Sequence, residues 1–151
     1  MATQETFAEL ASQLRVIPVL IRELSRACPP QCPPACLGVL AELGRLGELR
    51  MSRLAELLEV DMSVTSRHVA NLAALGWIDR LPDPYDKRSR LLRLTPDGAD
   101  MLRGAKARVA EALAHRLRDW PDEDIAEFAR LLDRLRSDFA TDWHPRTPST
   151  T

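Results

Sequence analysis

Apolar side chains recur three and four residues apart over residues 5–27, through Phe7, Leu10, Leu14, Ile17, Ile21 and Leu24. That period predicts one amphipathic helix. Pro18 falls inside it, removes a backbone donor and predicts a kink. The prolines of "CPPQCPPAC" stop any helix. Pro34 suits the start of the next one, where its missing donor would be unpaired anyway. Residues 35–46 continue helically through Leu37, Leu40 and Leu43. Ser52 is the expected N-cap of a helix carrying Leu54, Leu57 and Leu58. After a brief "EVD" turn, residues 62–75 predict a further helix, closed by Gly76.

The period then shortens. Residues 77–81 read as a strand, "PDPYDKRS" as a loop of turn formers, and residues 91–94 as the return strand. Thr95 and Pro96 are the cap and first residue of a long helix. It runs to about residue 118 through Met101, Leu102, Val109, Leu113 and Leu117. Pro121 and the acids at 122–124 suit the positive end of a last helix. Its stripe is Ile125, Phe128, Leu131, Leu132, Leu135 and Phe139. The order helix, short turn, helix, hairpin at the centre predicts a mainly helical α+β fold. That order is the one of a winged helix-turn-helix, a scaffold that places its second helix in a DNA major groove.

Charge changes the picture locally rather than globally. The chain carries a net charge of −1, which by itself argues against a nucleic-acid binder. Residues 50–93, however, hold eight Arg or Lys against six acids, a local balance of +2. Lys87, Arg88, Arg90 and Arg93 crowd one hairpin, whose stability needs no such charge. On the 62–75 helix, Met62, Thr65, Val69 and Leu72 should pack inward. The opposite face carries Ser63, Arg67, Ala70, Asn71 and Ala74. Small residues there admit the helix to a groove, where Arg pairs with guanine and Asn with adenine. Ser66 and His68 lie on the flanks, positions suited to phosphate contact. A bare helix pair would read equally well as a solvated face; the positive hairpin beside it favours DNA, because narrow minor grooves attract Arg.

The hairpin carries a specific resemblance. "DPYDKRSRLLRLTPDG" is similar to the wing pattern of the MarR family of winged-helix transcription regulators, across Asp83, Pro84, Asp86, Arg88, Leu94, Thr95 and Gly98. "SRHVANLAALGWIDR" resembles that family's recognition helix and its run into the strand. The resemblance covers the chain except the cysteine loop and the tail. It implies a homodimer, likewise held by N- and C-terminal dimerisation helices, on a pseudo-palindromic operator. Arg88 and Arg90 would be wing contacts, and Ser66 and Arg67 recognition-helix contacts. Asp86 would position the wing arginines. The expected organisation is an N-terminal dimerisation helix and Cys/Pro-rich loop (1–34), a winged helix-turn-helix (35–95), C-terminal dimerisation helices (96–143) and a disordered tail (144–151). Two residues depart from the family pattern. Thr65 stands where an aliphatic residue is usual, so its hydroxyl should find a backbone carbonyl. Glu59 stands where Gly is favoured, and a left-handed conformation there would cost about 1 kcal/mol.

The signal sensed is less legible. Cys28, Cys32 and Cys36 are four residues apart, with prolines that forbid a continuous helix. Inert thiols in a stiff loop are the plain reading. A redox pair and a soft-metal site stay open beside it, although structural zinc prefers four ligands. The resemblance also implies a small aromatic or phenolic effector, lined by the first two helices and the start of the long one. There Arg22 or Arg26 could meet a carboxylate, although a solvated charge on a helix is the plainer reading of each. His115 reads as a surface or dimer-face residue, and Trp77, Trp120 and Trp143 as packing anchors. No His/Glu metal motif, Gly-rich phosphate loop or nucleophile elbow appears, and His68, His115 and His144 fall on different elements. An enzyme is therefore not expected, nor a metal or other cofactor. A helical protein-interaction module without DNA binding is the competing class, and the wing charges argue against it. The N-terminus has no basic region or apolar core of a secretion signal, and no apolar run reaches spanning length, so a cytoplasmic protein without membrane association is expected.

Overall fold

The computed structural model describes residues 1–142, with side chains to Phe139. Trp143, His144 and the predicted tail lie outside the described residues. The chain forms two compact units, residues 1–114 and the chain from 115 onward. The first holds α1 (Gln4–Leu14), α2 (Ile17–Ser25), α3 (Pro34–Leu46), β1 (Leu49–Arg50), α4 (Met51–Leu58), α5 (Met62–Ala74), β2 (Ile78–Pro82), β3 (Arg90–Leu94) and most of α6 (Pro96–Arg116). The second holds the end of α6 and α7 (Asp122–Asp142). No helix among the described residues is long and apolar enough to cross a membrane.

The helix expected over 5–27 is two helices. Arg15 and Val16 close α1 with tightened bonds to the carbonyls of Ser12 and Gln13. A fresh helix then starts with Pro18 in its first turn. Without an N–H, Pro18 cannot continue the ladder of α1, and its ring opposes the carbonyl four residues back. A break replaces the predicted kink. Likewise, Ser52 is not the cap of α4: Arg50 is, without a side-chain cap bond. The chain enters α4 straight from β1, a two-residue strand too short to leave a period in the sequence. The long helix ends at Arg116, two residues before the expected end.

The sheet is antiparallel in the order β1-β3-β2. Leu92 of β3 pairs with Leu49 on one side and Arg80 on the other. Its side chain is fully buried, so β3 ties the hairpin to the helices. Val39, Leu40 and Leu43 of α3, Leu54 of α4, Val69 and Leu72 of α5 and Leu102 of α6 complete one core with Cys32 and Cys36. Trp77 packs against it, whereas Trp120, also expected as a packing anchor, stands 49% exposed.

Two joints fix the hairpin relative to α5. Gly76, at φ 77, ends α5: its N–H donates to Ala73 and that of Trp77 to Leu72, both carbonyls. This is the paired closure that a left-handed glycine permits. Thr95 then joins three elements. Its hydroxyl donates to the Gly76 carbonyl at 2.6 Å and accepts from the Gly98 N–H at 3.0 Å, capping α6. A side chain at Gly98 would fall on the Trp77 carbonyl, so only glycine lets α6 start this close to the hairpin.

Candidate nucleic-acid interface

Helix α5 presents the two faces its wheel predicts, with one exception. Thr65, Val69 and Leu72 are fully buried. Ser63, Ser66, Arg67, Ala70, Asn71 and Ala74 are exposed. Met62, expected inside, is 52% exposed, because the first turn of α5 projects beyond the core. The Thr65 hydroxyl does not reach a carbonyl. It is buried with no hydrogen-bond partner among the described residues. Glu59 ends α4 in the left-handed region, at φ 54 and ψ 38. The turn into α5 therefore carries the strain its sequence implied.

The flank of α5 rests on a thiol that the sequence did not connect to it. The Sγ of Cys36, on α3, lies 3.6 Å from Nδ1 of half-buried His68. Burial pushes the Cys36 thiol up, against a hydrogen bond from Asn71 that lowers it. His68 and Asn71, three residues apart on α5, thus both bear on one sulfur, His68 by the contact at 3.6 Å. Burial pushes Cys32 up to about 11, helped by its neighbours Cys36 and Cys28. All three cysteines are free thiols, with Cys28 half-buried. Among the described residues no three His, Cys, Asp or Glu side chains are placed to hold a metal.

The wing, between β2 and β3, is shaped by two carboxylates. Asp83 Oδ1 accepts the Tyr85 N–H and Asp86 Oδ1 accepts the Arg88 N–H, each at 2.9 Å. The backbone closes beneath them: Ser89 donates to the Asp86 carbonyl, and Asp83 to that of Ser89. The Asp83 side chain is 1% exposed, and its Oδ2 lies 2.6 Å from Nε of Arg50. The Tyr85 N–H and then Arg50 hold this carboxyl below the usual aspartate range. Arg50 therefore braces the wing root against β1, a role invisible in a sequence where 33 positions separate the partners.

The cations of the hairpin are not equivalent. Arg93 lies 3.5 Å from Asp79 and 3.9 Å from Glu48, so its charge is answered within the fold. Lys87, Arg88 and Arg90 are exposed and make no ion pair among the described residues, as is true of Arg67 on α5. Elsewhere Arg26, Arg45, Arg53, Arg103 and Arg130 are each paired with an acid three residues away. Of the two candidate effector arginines, Arg26 is thus engaged with Glu23, whereas Arg22 is exposed.

Comparison with known proteins points the same way. The model of the MarR family matches residues 32–89, from the end of the cysteine loop to the wing. The multiple antibiotic resistance protein MarR of Salmonella typhimurium is 33% identical over 98 residues, covering 64% of this chain and 68% of that one. The structure of a MarR family protein from Bacillus stearothermophilus superposes with a TM-score of 0.74 at 25% identity, over 93% of this chain and 99% of that one. That of Sco3205, a MarR family transcriptional regulator from Streptomyces coelicolor in complex with DNA, gives 0.66 at 24% identity, over 92% and 90%.

Proposed function

The chain belongs to the MarR family of DNA-binding winged-helix transcription regulators, and from that premise we propose that it binds a pseudo-palindromic operator as a homodimer and represses from it in the cytoplasm. The observation that carries this reading is that α5 and the adjacent wing both present exposed cations that make no ion pair among the described residues. Arg67, with Ser63 and Asn71, reads base edges from α5, and Ser66 contacts phosphate. Lys87, Arg88 and Arg90 hold phosphates and the minor groove from the wing. Asp83 and Asp86 shape the turn that presents them. His68 approaches the same backbone from the flank.

Release by a small aromatic or phenolic acid completes the proposal, with Arg22 as the cation free to meet its carboxylate. Burial of Cys32 and Cys36 supports the inert reading of the thiols over oxidative release. With the Cys32 thiol pushed up by burial, little of it would be the reactive thiolate near neutral pH.

Binding to labelled operator duplex across a salt series tests the reading. Each phosphate contact contributes about 0.9 to the slope of log K against log salt. Arg88→Ala should weaken binding and flatten that slope by about 0.9 per subunit, with the thermal midpoint unchanged. Wild-type affinity at every salt concentration would mean that the wing is not a DNA element.

A further inference from the structure

Tyr85 is 91% exposed at the tip of the wing. Among the described residues no hydrogen bond engages its side chain. The turn is held by Asp83 and Asp86 through backbone N–H groups, and any residue at position 85 would supply the one that Asp83 accepts. That N–H donates to Asp83 at 2.9 Å. The carboxylate receiving it is buried and paired at its other oxygen with Arg50, so strand β1, the wing root and the backbone of Tyr85 form one brace. The brace fixes where the ring leaves the chain. Lys87 and Arg88, two and three residues on, stand beside it without ion pairs among the described residues.

We propose that Tyr85 is a specificity-determining residue, entering the DNA minor groove beside the wing cations and selecting A·T pairs at the outer edge of each half-site. The inference rests on the operator reading above. Its chemistry is that of the groove. A flat ring can stand edge-on in a slot about 6 Å wide, which phosphate contacts from Lys87 and Arg88 would flank. Over A·T pairs the floor presents only acceptors, adenine N3 and thymine O2, which the phenol hydroxyl can reach as a donor. A G·C pair adds the guanine amino group, which stands up from the floor and blocks the ring. Arg88 and Arg90 respond to the potential of the groove, whereas a ring responds to the shape of its floor. The wing thereby gains a base preference that charge alone does not give.

The test is selection of duplexes from a random pool by the full-length protein, wild type beside Tyr85→Ala, followed by affinity measurement on the selected motif with A·T or G·C flanks. Wild type should enrich an inner motif with A·T-rich outer positions. Tyr85→Ala should enrich the same inner motif with outer positions at random. Its affinity should fall about fivefold or more on the A·T-flanked duplex, the scale of one mismatched base pair, and stay level on the G·C-flanked one. Identical flanks from both proteins, or an equal loss on both duplexes, would overturn the inference while leaving the operator reading standing. If wild type enriches no motif at all, the operator reading falls and takes this inference with it.

Discussion

Two residues of the helix-turn-helix depart from the family pattern, and they fail differently as sequence signals. Glu59 was legible through the resemblance: it stands at a turn position where the family favours Gly, and the structure places it at φ 54. Glu59→Gly should remove about 1–2 kcal/mol of steric cost and add about 0.5–1 of chain entropy. A net gain of about 0–1.5 kcal/mol is expected in urea unfolding, with DNA affinity retained. Thr65 was legible only in part. Its inward position followed from the wheel, but the expected carbonyl partner is absent, because hydrogen-bond geometry is not encoded in periodicity. Thr65→Val keeps the shape and removes a buried, unpartnered hydroxyl. It should stabilise by about 1 kcal/mol. Unchanged or lower stability would mean that the hydroxyl has a partner in solution. Cys36 lies at the other extreme. No pattern in "CPPQCPPAC" links it to His68, since that contact depends on how α3 and α5 cross.

Among the elements, the hairpin, α5 and the start of α6 were readable because each carries its own punctuation. Gly76, the "DPYD" turn and the Thr95–Pro96 cap are local signals, and the structure uses each where it stands. The break after α1 was misjudged because a proline in an apolar stripe reads alike as a kink or as a start. Strand β1 left no signal at all, and with it went the brace from Arg50 to Asp83. That brace has a consequence in acid. The folded carboxyl of Asp83 is depressed, by the Tyr85 N–H first and then by Arg50. A depressed carboxyl contributes stability above its ordinary value of 3.8 and loses it as pH falls through the lower folded value. Wing amides, Tyr85 foremost, should thus lose protection from hydrogen exchange as pH drops below that of an ordinary aspartate. In Asp83→Asn the same amides should be poorly protected already at neutral pH, with no further acid step. An acid step that persists in Asp83→Asn would assign it to another group.

For the molecule as a whole, the apolar stripes at both ends of the chain raise a problem that one chain does not solve. On α1, Phe7 is 60% exposed and Leu10 45%; on α7, Phe128 is 53% exposed and Leu131 45%. Among the described residues neither α1 nor α7 has a fully buried one. Such stripes cost solubility unless something covers them, and contiguous apolar surface of this kind marks an interface. A second copy is the simplest cover, since a two-fold pair buries the same patch twice. A two-fold protein also meets the two half-sites of a pseudo-palindrome, about one helical turn apart, with two identical wings. Light scattering at micromolar concentration should therefore give twice the chain mass, with or without DNA. Phe128→Glu places a charge in the middle of the α7 stripe and should shift the protein toward monomer. Operator binding should then turn steeply concentration-dependent, because each monomer holds only one half-site. Arg88→Ala should do the reverse, losing affinity while remaining a dimer. If wild type scatters as a monomer, the stripes have another partner. The operator would then have to be read one half-site at a time, and the salt slope should fall to about half that expected for two wings.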